Sequence, residues 1–235
     1  MQTHKHVKTA LQQTSPVSNE FRLRRLEWVA GEKRTETLYK EYGCVFKVDL
    51  EKCYFSPRLS YERMRIAKQV QPGEVIVNMF AGVGCYSILI AKHSQASRIY
   101  SIDLNPDAVQ YMLENVLLNK VQNRVVPIHG DAEKIIQQTL KKSADRVLMP
   151  LPEKAYEYLD YALLALKPTG GLVHYYDFEH AKKPENPIEK TEARVVEKLR
   201  RLNADFEIPF HRIVRGVGPN WFQIVLDIKL KHLTF

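Results

Sequence analysis

Two glycines one residue apart, Gly82 and Gly84, stand in the run Asn78-Met79-Phe80-Ala81-Gly82-Val83-Gly84-Cys85-Tyr86-Ser87, directly after the apolar stretch Val75-Ile76-Val77. Small residues there let a strand turn tightly into a helix and bring backbone N–H groups close to a ligand. About 20 residues further on, Ile99-Tyr100-Ser101-Ile102 ends in Asp103-Leu104, an acid placed to accept hydrogen bonds from both hydroxyls of a ribose. A third apolar stretch, Val125-Val126-Pro127-Ile128, leads to Gly130-Asp131-Ala132. Asp131 can reach an adenine amino group, cap a helix, or do both. A lone Gly-x-Gly also marks a turn without a ligand, but the three signals in this order point to a nucleoside-cofactor site. Its candidate residues are Phe80, Ala81, Gly82, Val83, Gly84, Asp103, Leu104, Asp131 and Ala132.

A dinucleotide needs a third small residue in the loop, so that its pyrophosphate can approach the backbone. Bulky Tyr86 and the adjacent Ser87 stand there instead. S-adenosyl-L-methionine, which has no pyrophosphate, fits the loop better. Cys85 has no base beside it in sequence and reads as loop packing.

These residues need a frame. From Gly73 onward strand and helix signals alternate, which predicts a parallel, doubly wound sheet. Val109, Met112, Leu113, Val116 and Leu117 form a helical stripe that reads as core. Asp145–Met149 reads as a fourth strand, followed by Pro150-Leu151-Pro152, a helix through Ala155, Tyr158 and Leu166, and a fifth strand from Leu172 to Tyr176. A helix near 189–203 and strands at Phe210–Val214 and Phe222–Leu230 complete the chain. The expected fold is an α/β Rossmann-like sheet with a small N-terminal α+β module. The expected organisation is a flexible polar leader at 1–20, the small module and its linking helix at 21–70, and the cofactor-binding domain at 71–235. Thr37–Tyr39 and Val45–Asp49 flank Gly43 as a strand pair, and Tyr61, Met64 and Ala67 are spaced for one apolar face of the linking helix.

The formal charge is +8, and residues 1–70 hold 14 Lys/Arg against 8 Asp/Glu, which suggests a polyanionic partner for the front of the molecule. A solvated basic surface is the plainer alternative. No apolar stretch of about 18 residues predicts a membrane span, and the N-terminus lacks a signal-peptide core. Cys44, Cys53 and Cys85 form no metal-ligand spacing and cannot all pair, which suits a reducing cytoplasm. Neither metal nor membrane is expected, and the chain is expected to be monomeric.

Several motifs carry a resemblance. Tyr54-Phe55-Ser56-Pro57-Arg58-Leu59 with Glu62-Arg63 precedes the glycine loop, and Ile102-Asp103-Leu104-Asn105-Pro106-Asp107-Ala108, Leu118-Asn119-Lys120-Val121 and His174-Tyr175-Tyr176 follow it. Over roughly residues 20 to 232 the chain resembles the archaeal and eukaryotic tRNA (guanine-37-N1)-methyltransferase family, whose close relatives build wybutosine-type bases at the same nucleotide. The resemblance implies an RNA-contacting module joined to a Rossmann-fold domain, with the tRNA anticodon stem-loop as partner. Full-length members also carry a domain that grips the tRNA elbow, for which this chain is expected to be too short.

Methylating guanine N1 means removing its proton while negative charge builds towards O6. A carboxylate suits the first task and a guanidinium the second. The resemblance implies Glu62 as the base, Arg58 and Tyr54 around the flipped guanine and cofactor, and Arg22 as the oxyanion partner, with Arg24 its neighbouring competitor. Without the motif, Glu62 would read as an exposed glutamate, and Arg22, Arg24 and Arg25 as phosphate contacts. After the fourth strand the family pattern is Asn-Leu-Pro, whose asparagine bonds the target base, or a Gly-Tyr version in the aminocarboxypropyl-transferring relatives. Here the run is Pro150-Leu151-Pro152, and proline has neither a side-chain donor nor a backbone N–H. Three readings follow: a tRNA methyltransferase acting at guanine 37, an aminocarboxypropyl transferase at that position, and a cofactor-binding RNA-binding protein without catalysis.

Overall fold

The computed structural model describes residues 7–232. Residues 1–6 of the expected leader lie outside the described residues. The remainder of that leader departs from the expectation of flexibility, because β1 (Thr9–Gln13) pairs antiparallel with β2 (Leu26–Gly31). A ladder of backbone hydrogen bonds needs little apolar composition, and Leu11 stands opposite Trp28 across it. A second two-stranded sheet joins β3 (Glu36–Glu41) to β4 (Cys44–Asp49), and a 3-10 turn at Pro57–Leu59 leads into α1 (Ser60–Gln69).

The body of the chain then runs β5 (Val75–Asn78), α2 (Cys85–His93), β6 (Arg98–Asp103), α3 (Pro106–Leu118), β7 (Val125–His129), α4 (Ala132–Ile135), β8 (Arg146–Met149), α5 (Pro152–Ala165), β9 (Gly171–His180), α6 (Pro187–Arg201), β10 (Phe206–Gly218) and β11 (Trp221–Leu230). A π-helical segment, Ile136–Leu140, extends α4. Seven strands form one sheet in the order β10-β11-β9-β8-β5-β6-β7. Strands β5 to β9 are parallel, as the alternation predicts, but the sheet is mixed. Strand β11 runs antiparallel to β9, and β10 antiparallel to β11. The short connection between β10 and β11 leaves room only for a hairpin, which reverses the chain.

Both faces of the sheet are covered, and successive side chains alternate between two cores. Ile76, Leu148, Tyr176 and Val225 pack with α1, α2, α3 and β4; Val77, Val147, Tyr175 and Ile224 pack with α4, α5 and α6. Two asparagines one helical turn apart, Asn115 on α3 and Asn119 at its C-cap, fasten the front hairpin to this body. Asn115 and Asn119 each accept from a β4 backbone N–H, of Lys47 and Val45, and donate back to the carbonyl of the same residue.

Two expected apolar faces are redrawn. On α1 the buried residues are Glu62, Arg63, Ile66 and Ala67, while Tyr61 is 64% exposed. Paired charges fill the inner face there: Arg63 spans Glu41 with two bonds of 2.6 Å. On α3, Val109, Met112 and Val116 are core, but Leu113 and Leu117 face solvent. No helix among the described residues is long and apolar enough to cross a membrane. The three cysteines are buried and unpaired.

Candidate active site

The turn from β5 into α2 is held from beneath. Asn78 is fully buried; its Nδ2 donates to Ser87 Oγ at 3.1 Å and its Oδ1 accepts from Phe80 N at 3.4 Å. Ala81 N donates to the Ile102 carbonyl, and Gly82 N donates to Asp103 Oδ2 at 2.6 Å. The two glycines serve different ends. Gly82 has φ +56°, and a Cβ there would enter open space, so its bareness leaves room in front of the loop. Gly84 has φ +89°, and a Cβ would stand 2.9 Å from Met112 Cγ and 3.0 Å from Ile88 Cδ1. Gly84→Ala is therefore expected to destabilise the fold by about 1–3 kcal/mol through backbone strain and this close approach. A urea midpoint equal to wild type would show that the turn relaxes around the methyl group.

In front of the loop lies a cleft of about 420 Å³, within the range of small-molecule sites. Phe80, Gly82, Asp103, Leu104, Asp131, Ala132 and Pro150 line it, together with Tyr158 of α5. Ala81, Val83 and Gly84 do not; they shape the turn. Asp103 Oδ1 accepts from Asn105 N at 2.9 Å, so each carboxylate oxygen already holds one backbone N–H. Burial raises its pKa, and these two N–H groups oppose the rise. Asp131 takes one of its two expected parts, the helix cap, and lines the cleft. It caps α4 by accepting from Lys134 N at 3.2 Å, and its other oxygen accepts from the Tyr158 hydroxyl at 2.8 Å. Burial first, then the Asp131 bond, push the Tyr158 phenol up. Phe80 meets the same ring edge to face at 5.3 Å. Open space over Gly82, a carboxylate at the end of β6 and the apolar walls of Phe80 and Leu104 together fit an adenosyl group.

The segment Val17–Arg22 roofs the cleft, closed by paired backbone bonds between Ser18 and Leu23. Arg22, with φ +57°, enters the lining. Its guanidinium lies 4.3 Å from the Tyr54 ring centroid and 5.5 Å from that of Phe178, and pairs with Glu153 at 3.0 Å. Its Nε is buried without a hydrogen-bond partner. Arg24 donates to the Phe55 carbonyl at 3.4 Å and lies 5.9 Å from the Tyr54 ring, outside the lining. Arg25 and Arg58 are exposed.

Glu62 is not part of the lining. It is 1% exposed and enclosed by donors, among them Arg65 Nη2 at 2.7 Å, the Tyr176 hydroxyl at 2.7 Å and Arg212 Nη2 at 2.7 Å. Arg65 continues to Asp227, at 2.6 and 3.0 Å, and Asp227 to His174 Nδ1 at 2.6 Å. Arg146 donates to His174 Nε2, so the imidazole is neutral with its proton on Nδ1. Burial keeps His174 below its ordinary range. Burial alone would raise Asp227, but the bonds from His174 and Arg65 outweigh it and hold the carboxyl well below the usual range.

The structure thus brings Arg22, Tyr54 and Pro150 together with the cofactor residues, and leaves Glu62, Arg24, Arg25 and Arg58 outside the lining. It adds residues that sequence reading missed: Tyr158, Glu153, Arg212 and Arg215. Arg215 donates to the Tyr54 hydroxyl and to Ser56 Oγ, both at 3.2 Å. A register shift between Ile213 and Arg215 lets residues three apart on β10 reach the same module, which strand periodicity does not anticipate. Among the described residues no group of His, Cys, Asp and Glu gathers as a metal site.

A family profile described as the TRM5/TYW2 methyltransferase domain matches residues 37–202. The tRNA (guanine(37)-N(1))-methyltransferase Trm5b of Pyrococcus abyssi is 40% identical over 98% of this chain and 66% of its own length. The tRNA 4-demethylwyosine(37)-methyltransferase Taw21 of Saccharolobus solfataricus is 41% identical over 97% of this chain and 82% of its own. Among solved structures, an aTrm5 in complex with tRNALeu superposes with a TM-score of 0.84 at 36% identity, over 98% of this chain and 63% of that one. TYW2 of Methanocaldococcus jannaschii in complex with AdoMet gives 0.75 at 34% identity, over 88% and 91%. The chain therefore spans just under two thirds of the length of the Trm5b relative it matches.

Proposed function

The chain belongs to the TRM5/TYW2 methyltransferase family, and on that premise we propose that it is an S-adenosylmethionine-dependent tRNA methyltransferase acting on N1 of guanine 37, beside the anticodon. The observation that carries this reading is the cleft itself, where an adenosyl-sized hollow at the strand ends meets a guanidinium with an unused, buried donor. When bound, S-adenosylmethionine supplies a methyl group activated by a positively charged sulfur. Asp103 would hold its ribose, Gly82 leave room for it, and Phe80, Leu104 and Asp131 surround its adenine.

The chain's own residues supply the rest. Arg22, stacked on Tyr54, offers its Nε–H to the oxygen on which charge builds. Glu62 takes the N1 proton, which requires one of its present donors to leave. The target base is extruded into the site, as for other enzymes that act on ring atoms. The basic front of the chain meets the anticodon stem-loop.

One observation favours a second reading. Pro150 lines the cleft with Met79, Phe80 and Leu151, an apolar wall offering no side-chain donor to the edge of a base. That wall suits a tricyclic wybutosine precursor, the substrate class in the name of the Saccharolobus relative. The test uses S-adenosylmethionine labelled separately in its methyl and aminocarboxypropyl carbons, with unmodified and 4-demethylwyosine-bearing tRNA as acceptors. Methyl label in 1-methylguanosine supports the first reading, and methyl label only in the tricyclic base the second. Label from the three-carbon arm contradicts both.

A further inference from the structure

The carboxylate of Glu62 is closed off on every side. Arg65 Nε donates to both oxygens, at 3.1 and 3.0 Å, and Arg65 Nη2 and Tyr176 both donate to Oε1. Arg212 Nη2 covers Oε2. Enclosed in this way, the group has no direction left from which an incoming N–H could reach it.

The three partners are not equally fixed. Tyr176 is fully buried on β9, within the sheet. Arg65 is anchored through Asp227, His174 and Arg146 to Glu74, which accepts from Arg146 at 2.7 and 2.9 Å. Arg212 differs. It sits on the edge strand β10, its side chain is 28% exposed, and it touches Glu62 through one nitrogen. Its Nε is buried and has no partner. Its guanidinium rests 4.9 Å from the ring centroid of Tyr61, which is largely exposed. Arg212 can leave Glu62 by rotating its own side chain; Arg65 and Tyr176 cannot leave without disturbing the core.

We propose that Arg212 is a positioning residue that holds Glu62 in the free protein and passes to a backbone phosphate of the bound RNA, opening Oε2 towards the target base. The inference rests on Glu62 being the base of the proposed reaction. A phosphodiester is the ligand that fits the exchange. Against Glu62, Arg212 uses one donor and wastes another; against a phosphate, the Nε and Nη2 fork engages both. The surroundings suit a nucleic-acid strand, because Arg215 on the same strand also reaches the front module, at Tyr54 and Ser56, and Tyr61 offers an open ring for a base.

The test compares wild type with Arg212→Gln and Arg212→Lys. Single-turnover methyl transfer is measured to anticodon stem-loops carrying a neutral methylphosphonate at one nucleotide at a time, and tRNA binding across a salt series. One methylphosphonate position is expected to slow the wild type roughly tenfold and to leave Arg212→Gln unaffected, as a shared contact requires. The log–log salt slope of binding should become shallower by about one in Arg212→Gln, and Arg212→Lys should restore it. Equal slowing of Arg212→Gln on every stem-loop, with an unchanged slope, would make Arg212 a structural support and overturn the proposal. Should the wild type transfer no methyl group at all, the proposed activity fails, while the salt slope still decides whether Arg212 meets a phosphate.

Discussion

Glu62→Gln slows methyl transfer by about 10²–10⁴-fold, the usual contribution of a positioned general base, and leaves cofactor affinity within about twofold. The substitution keeps the shape of the side chain and removes its ability to take the N1 proton. Its second effect is on stability. Glu62 is enclosed by Arg65, Arg212 and Tyr176, and glutamine would turn an N–H₂ group towards guanidinium donors. Removing one partner of a buried ion pair typically costs about 3–5 kcal/mol, so the melting temperature should fall as well. Rates are therefore compared well below the variant's unfolding range, with bound cofactor measured on the same sample. A variant that keeps its fold and the wild-type rate would remove Glu62 as the base and leave it a structural hub.

Asp103→Asn should weaken S-adenosylmethionine binding by about tenfold to a hundredfold, the scale of losing charge-assisted hydrogen bonds at about 1.5–3 kcal/mol. The carboxylate is held by two backbone donors, Gly82 N and Asn105 N, one on each oxygen. Asparagine can satisfy one of them and must present its own donor to the other. It thus loosens the glycine turn as well as the ribose contact. Binding of tRNA to the apoprotein should be unchanged, because no part of the Asp103 argument involves RNA. Calorimetric titration measures the first and a filter-binding curve the second. A wild-type dissociation constant for the cofactor would reject the ribose role.

The cofactor half of the site was legible in the sequence because backbone geometry writes it there. A ligand loop at a strand end needs glycines at particular steps, and Gly82 and Gly84 have the positive φ that L side chains avoid. Asp103 and Asp131 follow from where the next two strands stop, so spacing alone located them. The other half depends on which side chains meet across long separations. Glu62 and Arg212 are 150 residues apart, and Arg65 and Asp227 are 162 apart. Nothing local announces either pair.

Periodicity misled where charge replaced apolar packing. The inner face of α1 is built from Glu62 and Arg63 beside Ile66 and Ala67, so the apolar spacing of Tyr61, Met64 and Ala67 placed Tyr61 inside when it faces solvent. The α3 stripe was too wide because β4 docks through asparagines, leaving Leu113 and Leu117 outside. The leader read as unstructured on composition, yet β1 obtains its order from pairing with β2. Residues 17–21, which carry no motif in the sequence, roof the cleft and hold Arg22 in its lining.

The most direct measurement of the central claim is single-turnover transfer from methyl-labelled S-adenosylmethionine to two tRNA transcripts that differ only at nucleotide 37, guanosine in one and adenosine in the other. The site described here predicts label at nucleotide 37 of the guanosine transcript, recovered as 1-methylguanosine, and none in the adenosine transcript. Label in both transcripts, or at any other nucleotide, would contradict it.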